Sequence, residues 1–326
     1  TFGAAASWEI DVWKKLRNAK KVAVMEFMAS QEGKNYLVTN LVAEISSSYY
    51  ELIALDSQLK NLEQNIDIQK NALDIVKLLK ESARTTQLAV KRFEAEVQKN
   101  QSEIYNLKQD IIETENKINF LVGRIPQPIV RSTVNFLQME PKMVQTGLPS
   151  DLLENRPDIK QAQLEMEAAK LNIKVAKANF YPSFGLKAGV GYEAFNPKFL
   201  LSSPSSLLYN LAGDAIMPLI NRNGVKAAYK NATAKQIQTV YEYEQTILNA
   251  YTEVVNQMSK IDNLQQSFKL KRDQVDALNE SISIANQLFQ SARADYMEVL
   301  LTQRDALEAK TALIETRKNQ MLAVIN

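Results

Sequence analysis

Neither cysteine nor histidine occurs in this 326-residue chain. Their absence removes the thiolate nucleophile, the imidazole base and the two commonest soft metal ligands together. Carboxylate or lysine chemistry stays open, yet no motif sets a nucleophile beside a base, so an enzyme is the weakest functional class and no cofactor or metal site is expected. The missing cysteine is compatible with an oxidising compartment. An excess of one charge is lacking too: 39 Lys and Arg face 37 Asp and Glu, a net charge of +2. That balance gives no electrostatic reason to expect nucleic acid as a partner. No run of eighteen apolar residues occurs, which excludes a transmembrane helix on length. Thr1 follows no charged and then apolar leader, so an exported protein is read here in a mature or trimmed form. The length fits two domains, or one elongated architecture built by repetition.

Helix breakers are scarce and bunched. The 9 Gly and 9 Pro fall mostly within Gly123 to Pro128, Pro141 to Pro157 and Pro182 to Gly224. From Lys14 to about Ser82 there is no Pro and a single Gly, Gly33, so the spacing predicts one very long helix. Leu52, Leu55, Leu59, Leu62, Ile66, Leu73 and Val76 alternate at spacings of 3 and 4, interrupted only by Gln69, which is a heptad seam. Val90, Phe93, Val97, Ile104, Leu107, Ile111, Ile118 and Leu121 repeat it, with Asn100 and Thr114 as polar members, until Gly123 ends the helix. Ile261, Leu264, Phe268, Val275, Leu278, Ile282 and Ala285 form a third seam, and Leu300, Leu307, Ile314 and Met321 a sparser fourth. The pattern predicts helical hairpins folded back at Ser82-Ala83-Arg84 and Ser291-Ala292-Arg293. Apolar residues on other faces, such as Ile53, Ile68, Ile75 and Leu79, suggest neighbours on both sides, as in a closed ring. A plain soluble coiled coil or spectrin-like bundle is the competing reading of these helices alone.

Strand-like segments count against that reading. Over Ser183 to Ala194 the even positions are Phe184, Leu186, Ala188, Val190, Tyr192 and Ala194; the odd ones are Ser183, Gly185, Lys187, Gly189, Gly191 and Glu193. One face is apolar with aromatics toward its ends, the other small or charged, and about 9 to 11 tilted residues cross a bilayer. A second strand of this kind runs from Phe2 to Val12 and includes Trp8, and a third is expected at Tyr209 to Leu219. Phe184, Leu186, Val190, Tyr192 and Trp8 are therefore expected to face lipid, with Lys187 and Glu193 facing a lumen. Three strands cannot close a barrel, and open edges are not tolerated in lipid, so other copies of the chain or further residues must complete it.

The chain also repeats itself. Ser82-Ala83-Arg84 and Ser291-Ala292-Arg293 stand at an offset of 209, and the same offset sets Trp8 on Met217 and Ala19 on Ala228. In mid-helix the best offset is 202, so one heptad has moved without breaking the seam. The fuller copy reads short helix, strand, strand, long helix, long helix; the first copy lacks a counterpart of Leu148 to Tyr209.

Specific strings now carry a resemblance. Gly147-Leu-Pro-Ser-Asp-Leu-Leu-Glu-Asn-Arg-Pro-Asp-Ile-Lys-Gln-Ala162 closely resembles the GLPSDLL-x-x-RPDI-x-x-A signature of the outer-membrane factor family, the TolC/OprM-like efflux channels. Ala178-Asn-Phe-Tyr-Pro-Ser-Phe184 resembles its A-x-FFPS entry into a barrel strand, and Ser7-Trp-Glu-Ile-Asp-Val-Trp13 its SWELDLF strand. Within the signature, Ser150 can cap a short helix and Pro157 suits the first turn of the next. The strings are most similar to the NodT-type lipoprotein branch that serves resistance-nodulation-division (RND) pumps. The resemblance implies a mainly α fold with a membrane β-barrel part: a homotrimer whose protomers each give four strands to a twelve-stranded barrel and long antiparallel coiled-coil helices to a periplasmic tunnel. It further implies an outer-membrane location reaching into the periplasm, a lipid anchor on the full-length form, and partners in a periplasmic adaptor and an inner-membrane pump. The expected function is a passive conduit of a tripartite efflux pump, exporting small molecules such as drugs and toxic compounds. A type I protein-secretion channel is the alternative within the fold.

On that reading the chain divides into a barrel strand (1–13), a long-helix hairpin (14–122), an equatorial linker (123–147), a short helix (148–179), two barrel strands with an external loop (180–220) and a second long-helix hairpin (221–326). Ser82, Ala83, Arg84, Ser291, Ala292 and Arg293 become adaptor-docking tips, and Glu298, Asp295, Leu301, Met297, Leu88 and Val90 a periplasmic constriction. Several tip positions depart from the family pattern. Ala83 and Ala292 stand where the family carries Gly, while Ala89 and Leu301 stand where it often carries Asp. Glu298 matches an acidic constriction position of TolC-like members, and threefold symmetry would make it a ring of three carboxylates.

Overall fold

The structure, a computed structural model, describes residues 2–131, 135–141, 153–194, 198, 203–217, 221–291 and 293–325. In chain order its elements are strand β1 (Phe2–Ile10), helices α1 (Lys15–Glu81) and α2 (Gln87–Leu121), a 3-10 turn at Phe136–Gln138, helix α3 (Pro157–Ala178), strands β2 (Ser183–Tyr192) and β3 (Leu207–Ile216), and helices α4 (Arg222–Gln290) and α5 (Tyr296–Ile325). They fall into two units, residues 1–37 with 147–251 and residues 38–146 with 252–326.

The first unit holds the sheet. Its order is β1-β2-β3, all antiparallel, with Phe2 opposite Tyr192 and Ile10 opposite Phe184 on one side of β2, and Tyr192 opposite Leu207 on the other. Two strand ends differ from expectation. β1 stops at Ile10 instead of running to Val12, because the Asp11 carboxylate accepts from the backbone N–H groups of Leu16 and Arg17 at 3.0 and 2.9 Å and so caps α1. The turn this requires puts Lys14 at φ 59°. β3 begins at Leu207, two residues before the expected start, since pairing with Tyr192 extends it backward; residues 218 and 219 of the expected strand lie outside the described residues. The joint between sheet and helices is aromatic: Trp13 stacks on Tyr181 at 4.6 Å and donates from Nε1 to the Pro182 carbonyl at 2.9 Å. Pro157 sits in the first turn of α3, where its missing N–H costs nothing, while the Ser150 cap lies outside the described residues. The buried face of α3 is small, with Ala168, Ala169, Ala176 and Ala178. Gly33 of α1 lets α3 approach closely, since a Cβ there would stand 2.9 Å from Gln161 Oε1.

The second unit is built from the remainder of α1, from α2, from the end of α4 and from α5. Its core residues are the heptad seams. Leu62, Ile66 and Leu107 form one cluster, Leu52, Ile111 and Ile118 another, and Leu73, Val76, Val90, Phe93, Val97, Ala285, Val299 and Leu300 a third. The polar interruptions find each other: Gln69 and Asn100 are both buried, and Asn100 Nδ2 donates to Gln69 Oε1 at 2.9 Å. After α2, Gly123 at φ +69° closes the helix, with its own N–H on the Phe120 carbonyl and that of Arg124 on Asn119. The chain then folds back, held by Asn119 Nδ2 on the Gln127 carbonyl at 2.7 Å and by Arg131 bridging Asp56 and Glu115, each at 2.8 Å.

Candidate functional site: the hairpin tips and the two-faced sheet

At the first tip, α1 ends with Ser82 Oγ donating to the Leu78 and Leu79 carbonyls at 3.2 and 3.0 Å, the Ala83 N–H to Lys80 at 2.9 Å and the Arg84 N–H to Leu79 at 2.8 Å. This crossed pair of bonds demands a left-handed residue at its centre, and Ala83 sits at φ 55°. Thr86 then caps α2 by accepting from the Ala89 N–H at 3.3 Å. The second tip repeats the chemistry at the expected offset: Ser291 Oγ donates to Gln287 and Leu288 at 2.8 and 3.1 Å, and the Arg293 N–H to Leu288 at 2.8 Å. Ala292 lies outside the described residues.

Both tips share one core. Val90 and Leu300 are 4% and 9% exposed within it, packed with Phe93, Val76 and Ala285, so their apolar surface is already used inside the chain. Leu88 and Leu301 instead stand 58% and 40% exposed. Glu298 and Asp295 are exposed, as are Ser82, Ala83, Arg84, Ser291 and Arg293, and Met297 is half-buried, its sulfur accepting from Arg92 Nη1 at 3.5 Å. The side chains free to meet another molecule are therefore Leu88, Leu301 and Glu298 rather than Val90 and Leu300.

In the sheet the register aligns faces across three strands. Ile10, Phe184 and Ala215 form one row, Trp8, Leu186 and Gly213 the next, then Ala6, Ala188 and Leu211, then Ala4, Val190 and Tyr209, and last Phe2, Tyr192 and Leu207. Behind them run Glu9, Gly185 and Asp214; Ser7, Lys187 and Ala212; Ala5, Gly189 and Asn210; and Gly3, Gly191 and Leu208. Lys187 Nζ pairs with Asp214 Oδ2 across strands at 3.0 Å. The glycines lie on the small or charged face that the alternation predicts, whereas the ion pair follows only once the register is known. A Cβ on Gly185 would overlap the Asp214 carboxylate, and one on Gly189 would stand 2.8 Å from Asn210 Oδ1. The glycines make room for the polar face. On the apolar face Trp8, Val190, Tyr209 and Leu211 are 65%, 55%, 81% and 79% exposed. An apolar surface of this extent needs a cover. No described helix is long and apolar enough to cross a membrane, and no three described acidic side chains are grouped to hold a metal ion.

Comparison with known proteins now decides the family. Residues 1–124 and 148–326 match the family described as outer membrane efflux protein. The chain belongs to the outer membrane efflux protein family. It is 26% identical over 98% of its length to the pyoverdine export outer membrane protein OpmQ of Pseudomonas putida, covering 68% of that protein. To the probable outer membrane lipoprotein SilC of Salmonella typhimurium it is 25% identical over 99% of its length, covering 70% of that relative. Its fold matches the outer membrane protein VceC of Vibrio cholerae with a TM-score of 0.89 at 22% identity, over 98% of this chain and 77% of that one. The fold is thus TolC-like, mainly helical with a small β part. This outer membrane efflux protein is a passive channel for export, located in the outer membrane, and not an enzyme.

Proposed function

We propose that three copies of this chain assemble into the outer-membrane conduit of a tripartite pump, docking through their hairpin tips on a periplasmic adaptor and drawing small molecules from an RND-type inner-membrane pump. The observation that carries this reading is the sheet. Its apolar face is continuous over three strands, its opposite face is glycine-lined and charged, and among the described residues the outer edges of β1 and β3 pair with nothing. A bilayer covers the first face, a water-filled lumen suits the second, and neighbouring protomers close the edges. Trp8, Phe184, Leu186, Val190 and Tyr192 then face lipid, and Lys187 faces the lumen. At roughly 3.3 Å per residue, the ten residues of β2 suffice, tilted, for an outer-membrane hydrocarbon layer. Export of small molecules is favoured over protein secretion because the signature strings are those of the lipoprotein branch, and the likeness to SilC extends a lipid anchor to the full-length protein. Multi-angle light scattering of the intact protein in detergent should give three protomers per particle. A monodisperse monomer would sink the conduit reading.

A further inference from the structure

Charge is unevenly spread along this nearly neutral chain. Residues 12–25, 168–182 and 217–241 together hold twelve Lys and Arg and no Asp or Glu, which leaves 27 basic residues to face all 37 acidic ones elsewhere. These segments are the exits of the sheet into α1 and α4 and its entry from α3, and the register sets them side by side: Ile10 lies opposite Phe184, and Phe184 opposite Ala215. The positive charge is therefore a collar at one end of the sheet. The other end, residues 193–206, holds one Glu and one Lys. Eleven of the twelve collar side chains are exposed, and Lys15 is half-buried. Lys15 and Arg17 stand against Glu9 and Asp11 at 3.9 and 3.1 Å, while the described ion pairs include none of Lys14, Lys20, Lys21, Lys226 and Lys230.

The collar adjoins apolar surface. Trp8 and Ile10, from the apolar face of β1, line a hollow of about 670 Å³ with Leu16, Arg17 and Lys20, and Trp8 and Leu16 are 65% and 43% exposed. Glu9 and Asp11 border it too, but each already faces its own cation. Trp13 and Tyr181, stacked at the same joint, are the kind of amphipathic rings that settle at the level of lipid headgroups. An apolar ledge that ends in basic groups fits a molecule with acyl chains and a negative head. We propose that the collar binds anionic phospholipid headgroups, of the phosphatidylglycerol class, in the leaflet on the helix side of the membrane. This rests on the conduit reading, which sets the sheet in the bilayer. Geometry limits which residues take part. Headgroups occupy roughly 5–8 Å beyond the hydrocarbon, fixed charges act over about 8 Å more at 0.15 M salt, and two helical turns rise about 11 Å, so positions 14–21, 174–177 and 222–230 lie within reach. A soluble phosphate has no acyl chain to lie on the ledge, so the lipid is the occupant.

The full-length protein, reconstituted in phosphatidylcholine vesicles with phosphatidylglycerol as the minor component, tests this with spin-labelled lipids of both kinds, whose motionally restricted fraction counts lipid held at the protein surface. At about 0.1 M salt phosphatidylglycerol should be preferred about fivefold, the worth of one basic residue at an anionic surface. At about 1 M, where fixed charges act over only roughly 3 Å, the preference should fade toward one. Lys20→Gln with Lys21→Gln, and Lys226→Gln with Lys230→Gln, should each reduce it about twofold or more. Lys269→Gln with Arg272→Gln, exposed residues of the second unit, should leave it intact. Equal restriction of the two lipids by wild type, or a preference that survives high salt or both collar variants, overturns the proposal. Restriction of neither lipid would mean that the sheet is not in the bilayer, and would sink the conduit reading along with this one.

Discussion

At the scale of single residues the least expected group is Arg317. It is 7% exposed on α5, its guanidinium carbon 3.7 Å from the Phe268 ring centroid, with Nη1 donating to Gln320 Oε1 at 2.9 Å and Nη2 to the Leu137 carbonyl at 3.2 Å. Helix α4, helix α5 and the turn at Phe136–Gln138 thus meet on one planar cation. An ammonium cannot stack and fork in this way, so Arg317→Lys should cost about 1–3 kcal/mol, read as a lower urea midpoint with the slope unchanged. Asp158 makes a second case. Burial opposes its charge, but Arg156, bonding its two oxygens at 3.1 and 2.8 Å, and the Ile159 N–H at 3.0 Å outweigh burial and hold the carboxyl below its ordinary value. A pKa lower in the folded than in the unfolded state adds stability above the unfolded value, and that stability fades as pH falls through the folded one. Asp158→Asn should therefore lower the melting temperature at pH 7 by the equivalent of about 0.5–1 kcal/mol, the worth of a carboxylate at a helix start. The gap to wild type should close as the pH is taken below the carboxylate range. A gap of constant size across that range would show that the charge of Asp158 contributes nothing.

Among the elements, the turns hold the clearest strain. Ala83 occupies the left-handed position of the first tip at φ 55°, a conformation costing an L residue roughly 1–2 kcal/mol. Ala83→Gly removes that cost and adds back part of it as unfolded-chain entropy, so a net gain of about 0.5–1 kcal/mol is expected. Thermal unfolding of the variant checks it, and a lower melting temperature would show that the methyl group matters more than the backbone. This position also shows what could be read before the fold was known. Ala83 stood out as a departure from a family glycine, and the crossed hydrogen bonds of a helix end explain why glycine belongs there. The heptad seams were legible because a period near 3.5 survives over tens of residues; Leu62, Ile66, Phe93 and Val97 are all buried. Gln69 and Asn100 were visible only as interruptions, since nothing local says that α1 and α2 bring them to 2.9 Å. Arg317 was missed for the same reason: an arginine on a sparse seam reads as solvated until a turn 180 residues away packs over it. The strand ends were misjudged where a short-range device, the Asp11 cap, overrode an alternation that in sequence continues to Val12.

For the whole molecule, the threefold repetition proposed above would turn small local features into rings, and the tip is where this would have a functional consequence. Val90 and Leu300 are consumed by the core of the chain's own hairpins, so in the proposed trimer closure between protomers would fall to what is left exposed: Leu88, Leu301 and the carboxylate of Glu298. In a trimer Glu298 appears three times around one axis, and a ring of carboxylates at a constriction concentrates cations and repels anions. How strongly it does so depends on screening. Fixed charges act over about 30 Å at 0.01 M salt but only about 8 Å at 0.15 M. Bilayer recordings of Glu298→Gln should therefore show a cation-to-anion permeability ratio reduced about two- to threefold at the lower salt, with little change at the higher one and a smaller effect on total conductance. Charge is removed without a change of shape, so folding and trimer content should match wild type, and light scattering on the same sample confirms that before any current is interpreted. An unchanged permeability ratio at low salt would mean that Glu298 is only a solvated residue at a helix start, and the constriction would then have to be sought at Leu88 and Leu301.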